Sequence, residues 1–162
     1  MMAALAGPPN GLAAPLTVTR LEDGVPGSLR EAIAASPPTG GTINFSVLGT
    51  IKLTSQLEIG KNLTIIGPGT GLTVSGDNKS RVFAIAPGAT VSISGLTIAN
   101  GYEFGSIGGG IYNGGTLTVS NCTIWYNGTG GDEVSAGGGI FGDGFGPLYQ
   151  IVQLLTVRVP PL

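Results

Sequence analysis

Two eight-residue stretches decide the fold: Val91-Ser-Ile-Ser-Gly-Leu-Thr-Ile98 and Leu117-Thr-Val-Ser-Asn-Cys-Thr-Ile124. They align without a gap at an offset of 26 residues, from 91 to 117. In both, apolar residues alternate with Ser or Thr, a Gly or Asn interrupts the alternation, and the alternation then resumes. This pattern is typical of two short strands joined by a tight turn. The chain is therefore predicted to contain a repeated pair of β-strands.

Further copies extend the repeat in both directions along the chain. They are 24, 28 and 29 residues apart: Leu72–Val74 with Leu96–Ile98, Leu63–Ile65 with Val91–Ile93, and Gly108–Ile111 with Gly137–Ile140. Periods of this length are those of solenoid proteins. A leucine-rich repeat requires a recurrent leucine frame that is missing here, and a propeller blade requires about 40 residues. We therefore predict an all-β, right-handed parallel β-helix in which each coil stacks on the previous one.

Composition excludes several other classes of protein. Of 162 residues, 30 are Gly and 11 are Pro, which argues against a mainly helical chain. Seven basic residues stand against nine acidic ones with no basic cluster, so nucleic acid is not an expected partner. One cysteine and no histidine exclude an internal disulfide, the usual zinc sites and nucleophile–histidine pairs. No apolar run is long enough for a transmembrane segment.

A short helix is predicted before the first coil. Ser28 and Glu31 have the spacing of a capping box, Leu29 and Ile33 belong to an apolar face, and the run ends before Pro37. We expect this helix to cover the open N-terminal end of the solenoid. The predicted organisation is a leader remnant or disordered start at 1–15, a cap at 16–41, coils at 42–146 and an atypical tail at 147–162.

The alternation also predicts which side chains point into the coils and which residues form corners. Asn100 and Asn127 each follow a strand and are candidates for a ladder of stacked amides. The candidate inward residues are Leu63, Ile65, Leu72, Val74, Val91, Ile93, Leu96, Ile98, Leu117, Val119, Cys122 and Ile124. Cys122 is accordingly interpreted as a buried hydrophobe.

The chain resembles bacterial right-handed β-helix surface proteins related to the chlamydial polymorphic membrane proteins. The stretch Leu16–Thr19 followed by Pro26–Ile33 is similar to their entry strand and helix. The Gly108–Ile111 and Gly137–Ile140 blocks are similar to their Gly-Gly-Ala-Ile motif, and Ile124–Asn127 to their Phe-x-x-Asn motif. The resemblance covers about 16–146 and implies an extracellular or cell-surface bacterial protein of adhesin-like or scaffold role. The chain departs from that group by being short and by lacking their membrane barrel or anchor.

The tail has a different composition from the coils. After Gly146 the chain contains no Gly, Ser or Asn. When Pro147 to Leu154 are back-translated and re-read from the third base of the proline codon, the codons permit Thr-Val-Ser-Asn-Cys-Thr-Ile, which is the sequence of Thr118–Ile124. The hypothesis is that the tail is a frame-shifted coil and that the chain is a fragment of a longer solenoid.

Enzymes that act on polysaccharides also use parallel β-helices. In such an enzyme, acidic residues of the coils would bind calcium or act as catalytic carboxylates. Asp77 with Lys79 and Arg81 is the one cluster of acid and base in the coils, and it is interpreted as a polar turn. Asp132 and Glu133 suit a solvated loop, and Asp143 lies in an incomplete calcium-roll pattern. No catalytic residue, metal ligand or cofactor is predicted.

Four aromatic residues are the candidate ligand-binding residues: Tyr102, Phe104, Trp125 and Tyr126. The alternative is that their rings only shield the coil face or stack on one another. The predicted function is a non-catalytic secreted or cell-surface module with an extracellular protein or a polysaccharide as partner. The alternatives are a polysaccharide lyase or glycoside hydrolase, and a degenerate gene fragment with no function of its own.

Overall fold

The computed structural model describes residues 14–130 and 138–142. These residues form strands and one short helix. The helix, α1, is Leu29–Ala35. The strands are β1 Leu16–Val18, β2 Gly41–Phe45, β3 Gly49–Lys52, β4 Leu57–Ile59, β5 Leu63–Ile66, β6 Leu72–Ser75, β7 Phe83–Ile85, β8 Thr90–Ser94, β9 Thr97–Ala99, β10 Tyr102–Phe104, β11 Ile111–Asn113, β12 Thr116–Ser120, β13 Thr123–Trp125, β14 Gly128–Gly130 and β15 Ile140–Gly142.

Three parallel sheets make up the sides of a solenoid of about five turns. The first sheet has the order β1-β2-β5-β8-β12, the second β3-β6-β9-β13, and the third β4-β7-β11-β15. A two-stranded ribbon, β10-β14, lies between the second and third sheets along the chain. Each coil passes through the three sheets in turn, and the next coil pairs with it in parallel. The predicted all-β parallel β-helix with a short helix is confirmed.

The strand registers reproduce the spacings read from the sequence. Val91 pairs with Leu117, and Ile98 with Ile124, at the offset of 26. The other spacings recur as Thr73 with Thr97, Leu63 with Val91, and Ile111 with Ile140. All twelve predicted inward residues are buried. The sequence repeats are therefore the hydrogen-bonded rungs of the solenoid.

Strand boundaries differ from the prediction in two ways. The segment Thr50–Ile59 is rich in Ile, Leu and Thr and is predicted to be one strand. In the structure it divides into β3 and β4, and Thr54 between them donates its N–H to Asp23. Four strands in Gly-rich or aromatic segments were not predicted: β10, β11, β14 and β15. Pairing with the neighbouring coil, and not local propensity, makes these segments extended.

Corner residues adopt left-handed backbone conformations, but the expected asparagine ladder does not form. Gly95 and Asn121 occupy equivalent corners, with φ of +65° and +51°. Asn100 aligns with Tyr126, since Ala99 pairs with Trp125. Asn127 instead accepts a 2.8 Å hydrogen bond from the Gly101 N–H and donates to the Ile98 carbonyl at 3.0 Å. The two asparagines are therefore one position out of register, which corrects the prediction.

An ion pair within the N-terminal segment, between Arg30 and Asp23, contributes to its contacts with the first coil. Helix α1 begins as predicted, with the Ser28 hydroxyl accepting from the Glu31 N–H at 3.2 Å. Arg30 donates two 2.8 Å hydrogen bonds to Asp23, whose side chain is 2% exposed. Thr54 adds bonds to the same carboxylate from its N–H and its hydroxyl, at 2.8 and 2.7 Å. None of the described helices has the length and hydropathy needed to cross a membrane.

Asp23→Asn is expected to lower the free energy of unfolding by about 1–3 kcal/mol at neutral pH, because charge-assisted hydrogen bonds are lost. Burial raises the pKa of Asp23, but hydrogen bonds from Arg30 and Thr54 outweigh it and hold that pKa below its ordinary value of 3.8. The carboxylate therefore stabilises the fold at pH values above the ordinary pKa of 3.8. This stabilisation is lost as the pH falls through the lower pKa of the folded state. Denaturant titrations should show the two proteins converging at low pH; a constant difference would contradict the prediction.

Gly109→Ala is expected to lower the free energy of unfolding by at least about 1–3 kcal/mol. A Cβ at this position would meet the Gly128 carbonyl oxygen, and backbone cannot move aside as a flexible side chain can. Gly60→Ala is the matched control, because a Cβ at Gly60 meets no atom within 4 Å. Chemical denaturation of both variants tests the prediction, which fails if the two substitutions cost the same.

Candidate functional site

The outer face of the third sheet carries one exposed or half-exposed side chain per coil. In order along the solenoid these residues are Glu58, Ala84, Tyr112 and Phe141, and each pairs in register with the next. In the first three strands the two flanking residues are buried, so the central residue points away from the core. We call this row the outer row.

Two aromatic rings of the outer row are parallel. The Tyr112 and Phe141 ring centroids are 6.5 Å apart and the rings are inclined by 9°. The Arg81 guanidinium carbon lies 5.1 Å from the Tyr112 ring centroid, within the range of a cation–π contact. Ala84, one coil earlier, has only a methyl side chain. The surface of the outer row is therefore recessed at Ala84, between the longer side chains of Glu58 and Tyr112. The face is therefore part aromatic and part recessed.

Arg81 is the centre of a hydrogen-bond network beside the outer row. It is 7% exposed and donates 2.8 Å hydrogen bonds to the carbonyls of Ile107 and Gly108 and to the Gln56 side-chain oxygen. A Glu103 carboxylate oxygen lies 3.9 Å from one of its terminal nitrogens. Because these acceptors engage all three guanidinium nitrogens, Arg81 fixes the segment between β10 and β11 instead of facing solvent as a base.

The same network reaches two carboxylates. Gln56, which accepts from Arg81, donates through its side-chain nitrogen to Glu58 at 3.2 Å. Glu58 and Glu103 thus lie at opposite ends of a chain that runs through Gln56 and Arg81. A cavity of about 510 Å³ adjoins Glu58 and is also lined by Arg30 and Ile33 of the cap. A larger hollow of about 840 Å³ against the first sheet is lined by uncharged residues, so acid–base chemistry cannot be assigned to it.

The structure separates the acid–base cluster considered in the sequence. Asp77 contacts Lys79 at 2.5 Å and Lys52 at 3.2 Å, whereas Arg81 belongs to the network beside the outer row. Hydrogen bonds from Lys79 and Lys52 lower the pKa of Asp77. Asp132, Glu133 and Asp143 lie outside the described residues, as does the proposed tail.

A calcium site does not fit the residues that the structure describes. Within 14–130 and 138–142, no three side chains of the His, Cys, Asp and Glu types come together as a metal site. Of the acidic side chains in the described coils, Asp77 is already neutralised by two lysines. Calcium requires six to eight oxygen ligands, usually with several carboxylates. No step that requires a metal is therefore assigned to these residues.

The structure describes all four of the predicted aromatic residues. Trp125 and Tyr126 pack together, with ring centroids 4.4 Å apart, and are 39% and 52% exposed. Tyr102 and Phe104 lie on β10 and are 36% and 76% exposed. A Cβ on Gly130 of β14 would meet both of these rings. Their role in binding stays a prediction.

Cys122 has the buried position that the sequence predicts. It is 2% exposed, and its sulfur lies 3.3 Å from the Ser120 carbonyl oxygen. Burial raises the pKa of its thiol. A thiol in this environment is not activated as a nucleophile.

The sequence signal for the outer row was weak. Glu58 belongs to a segment interpreted as one long strand, and Tyr112 is separated from three consecutive glycines only by Ile111. The contacts of Arg81 with Gln56 and Gly108 join residues 25 and 27 positions away. Strand β7 pairs with β11 at an offset of 28 residues, which places Tyr112 beside Ala84. The same offset relates Leu63 to Val91 in the sequence, and applying it to Ala84 is the signal that could have found Tyr112.

Curated relatives connect this architecture with polysaccharide enzymes. The chain is 33% identical over 110 residues to a probable pectate lyase C of Neosartorya fischeri, and 34% identical over 110 residues to one of Aspergillus flavus. Each alignment covers 66% of this chain and 25% of the relative. A probable pectate lyase C of Aspergillus terreus is 39% identical over 66 residues, covering 39% of this chain and 15% of the relative.

The chain thus spans about a quarter of the length of the first two relatives. No family model matches it, and no solved structure matches it. Together with the stacked parallel sheets, the relatives indicate a pectin-lyase-like parallel β-helix. These relatives are fungal and do not support the relation to chlamydial surface proteins inferred from sequence motifs.

Arg81→Lys is expected to loosen the segment between β10 and β11 while the solenoid stays folded. A lysine keeps the charge but cannot reach the Ile107 and Gly108 carbonyls and Gln56 at once, since it lacks the planar fork of arginine. Hydrogen exchange measured by mass spectrometry should rise across 105–110 and stay unchanged in β5 and β8. Unchanged protection of 105–110 would contradict a positioning role for Arg81.

Proposed function

We propose that the described coils bind a polysaccharide along the outer row, as part of a carbohydrate-active protein that acts on pectate-type polymers. The observation that carries the proposal is the row itself: a carboxylate, a methyl-sized recess and two parallel rings in consecutive coils. The polymer class comes from the names of the relatives. Such a polymer implies that the protein works outside the cell.

The repeat of the coils suits a polymer that runs parallel to the solenoid axis. Neighbouring strands lie about 4.8 Å apart, which is close to the length of one sugar residue in an extended 1,4-linked chain. Successive sugars can therefore meet successive coils. The C–H faces of pyranose rings pack against aromatic rings, and Tyr112 and Phe141 provide two such surfaces.

The recess above Ala84 gives the polymer access to polar groups. Glu58 is exposed, lies beside Ala84 in register and accepts a hydrogen bond from the Gln56 side-chain nitrogen. Glu103 is held near Arg81 at the other side of the network. Carboxylates in these positions accept hydrogen bonds from sugar hydroxyls. Their proposed role is to position the polymer.

The cleavage step is not assigned to the described residues. Arg81 is engaged by backbone carbonyls, and the described acids do not form a calcium site. Polysaccharide binding is the part of the proposed function that these coils carry. The non-catalytic adhesin-like or scaffold module predicted from the sequence has no support from the relatives, which favour the alternative of a polysaccharide enzyme.

Tyr112→Leu is expected to weaken binding to polygalacturonate by about tenfold, which corresponds to about 1.4 kcal/mol, because the ring that packs on the sugar is lost. Tyr112→Phe is the matched control and should bind within about twofold of the wild type, since it keeps the ring. Isothermal titration calorimetry measures both affinities, and circular dichroism checks that each variant is folded.

Two results would contradict this function. The first is a folded wild-type protein that binds neither polygalacturonate nor its methyl ester. The second is equal affinity for the Leu and Phe variants, which would place the polymer away from the outer row.

A further inference from the structure

A second row of residues in register, exposed at its two ends, follows the end of the second sheet. Lys52, Ser75, Ala99 and Trp125 pair in register in four consecutive coils. The two middle residues are small and buried, whereas Lys52 and Trp125 at the ends are exposed. Lys79 and Tyr126 flank these ends. We call Lys52, Asp77, Lys79, Trp125 and Tyr126 the corner strip.

The lysine end of the corner strip has a net positive charge. The Lys52 and Lys79 side chains are 69% and 71% exposed, and both contact the single carboxylate of Asp77. Two ammonium groups against one carboxylate leave a charge of +1. Each ammonium has three N–H donors, so contact with Asp77 does not exhaust them. By contrast, the network beside the outer row has one guanidinium and two carboxylates, so it suits the rings and hydroxyls of a polymer and not the uronate carboxylates.

The aromatic end presents two rings to solvent. Trp125 and Tyr126 are 39% and 52% exposed and pack against each other at 4.4 Å. The equivalent residues of the previous coil are Ala99 and Asn100, which have no ring. The coil does not need aromatic side chains at this corner, because the preceding coil is built without them.

Tyr126 holds an unfavourable backbone conformation. Its φ is +50°, and the equivalent Asn100 has a φ of +51°. Asparagine tolerates the left-handed region better than tyrosine, because its short polar side chain can form local hydrogen bonds there. Strain of this kind concentrates at binding and catalytic sites. A tyrosine at the place where the previous coil has asparagine therefore points to a role in binding.

We propose that the corner strip binds uronate residues of an acidic polysaccharide and thereby gives the protein its preference for acidic over neutral polymer. The lysines pair with uronate carboxylates, and the two aromatic rings pack on sugar faces further along the polymer. Three coil steps separate Lys52 from Trp125, or about 14 Å, a length of about three sugar residues. This inference rests on the proposed polysaccharide binding and locates charge recognition at a second surface.

The first experiment compares polygalacturonate with fully methyl-esterified polygalacturonate, which has the same backbone without the charge. In Lys52→Gln/Lys79→Gln, affinity for polygalacturonate should fall about tenfold, because two surface ion pairs with the polymer are lost, while affinity for the ester stays constant. Arg20→Gln is the matched control, since it removes a positive charge from an exposed residue of the cap and should change neither affinity.

The second experiment separates binding from stability at the aromatic end. Tyr126→Asn should raise the midpoint of thermal unfolding, because asparagine accepts the left-handed backbone, and should weaken binding to both polymers several-fold. Trp125→Leu should weaken binding in the same way. A residue with only a structural role would lose stability together with binding.

The outcomes distinguish this inference from the proposed function. If Tyr112→Leu loses affinity but the lysine and Tyr126 variants bind both polymers as the wild type does, the corner strip is not a binding surface and the proposed function stands. If the wild type prefers neither polymer, or binds single-stranded DNA as tightly as polygalacturonate, selective uronate recognition is wrong. If the wild type binds neither polymer, both proposals fail.

Discussion

Parallel pairing of each coil with the coil before it places every residue above an equivalent residue. Leu63, Val91 and Leu117 form one such ladder in the first sheet, and Val74, Ile98 and Ile124 form another in the second. Burying a side chain of this size contributes about 1.5–3 kcal/mol, more than most exposed ion pairs. Because ladder and core share the same register, a shift of one residue would turn the apolar side chains toward solvent. The rest of the structure follows from this register.

The register also organises the surface. A side chain that points outward in one coil has neighbours at about 4.8 Å in the coils on either side, so any outward feature becomes part of a row. The outer row and the corner strip are two such rows, and both run along the solenoid axis. An extended polymer matches this geometry better than a compact ligand, since its own repeat can follow the coils. This is the physical basis for assigning both rows to a polysaccharide.

The sequence was sufficient where period and alternation determine the structure. The ladders of Leu63 and Val74, the start of helix α1 at Ser28, and the burial of Cys122 all follow from spacing and pattern, and the structure confirms them. It was insufficient for Arg81, because the repeated Gly108–Ile111 block does not indicate that the Ile107 and Gly108 carbonyls accept hydrogen bonds from Arg81. These groups meet only after the coils stack. The asparagine ladder failed for a related reason: Asn100 and Asn127 are 27 residues apart, whereas the local register is 26.

Arg81 connects the coil register to the geometry of the site. The segment between β10 and β11 is longer than most connections of the solenoid, and its glycines pack directly on the backbone of the next coil, as Gly109 does on Gly128. Arg81, from the preceding coil, holds the carbonyls of Ile107 and Gly108 on the other side. The segment is thus fixed between two coils before any ligand arrives. Because it is ordered in advance, a polymer on the outer row does not have to order it, which lowers the entropic cost of binding.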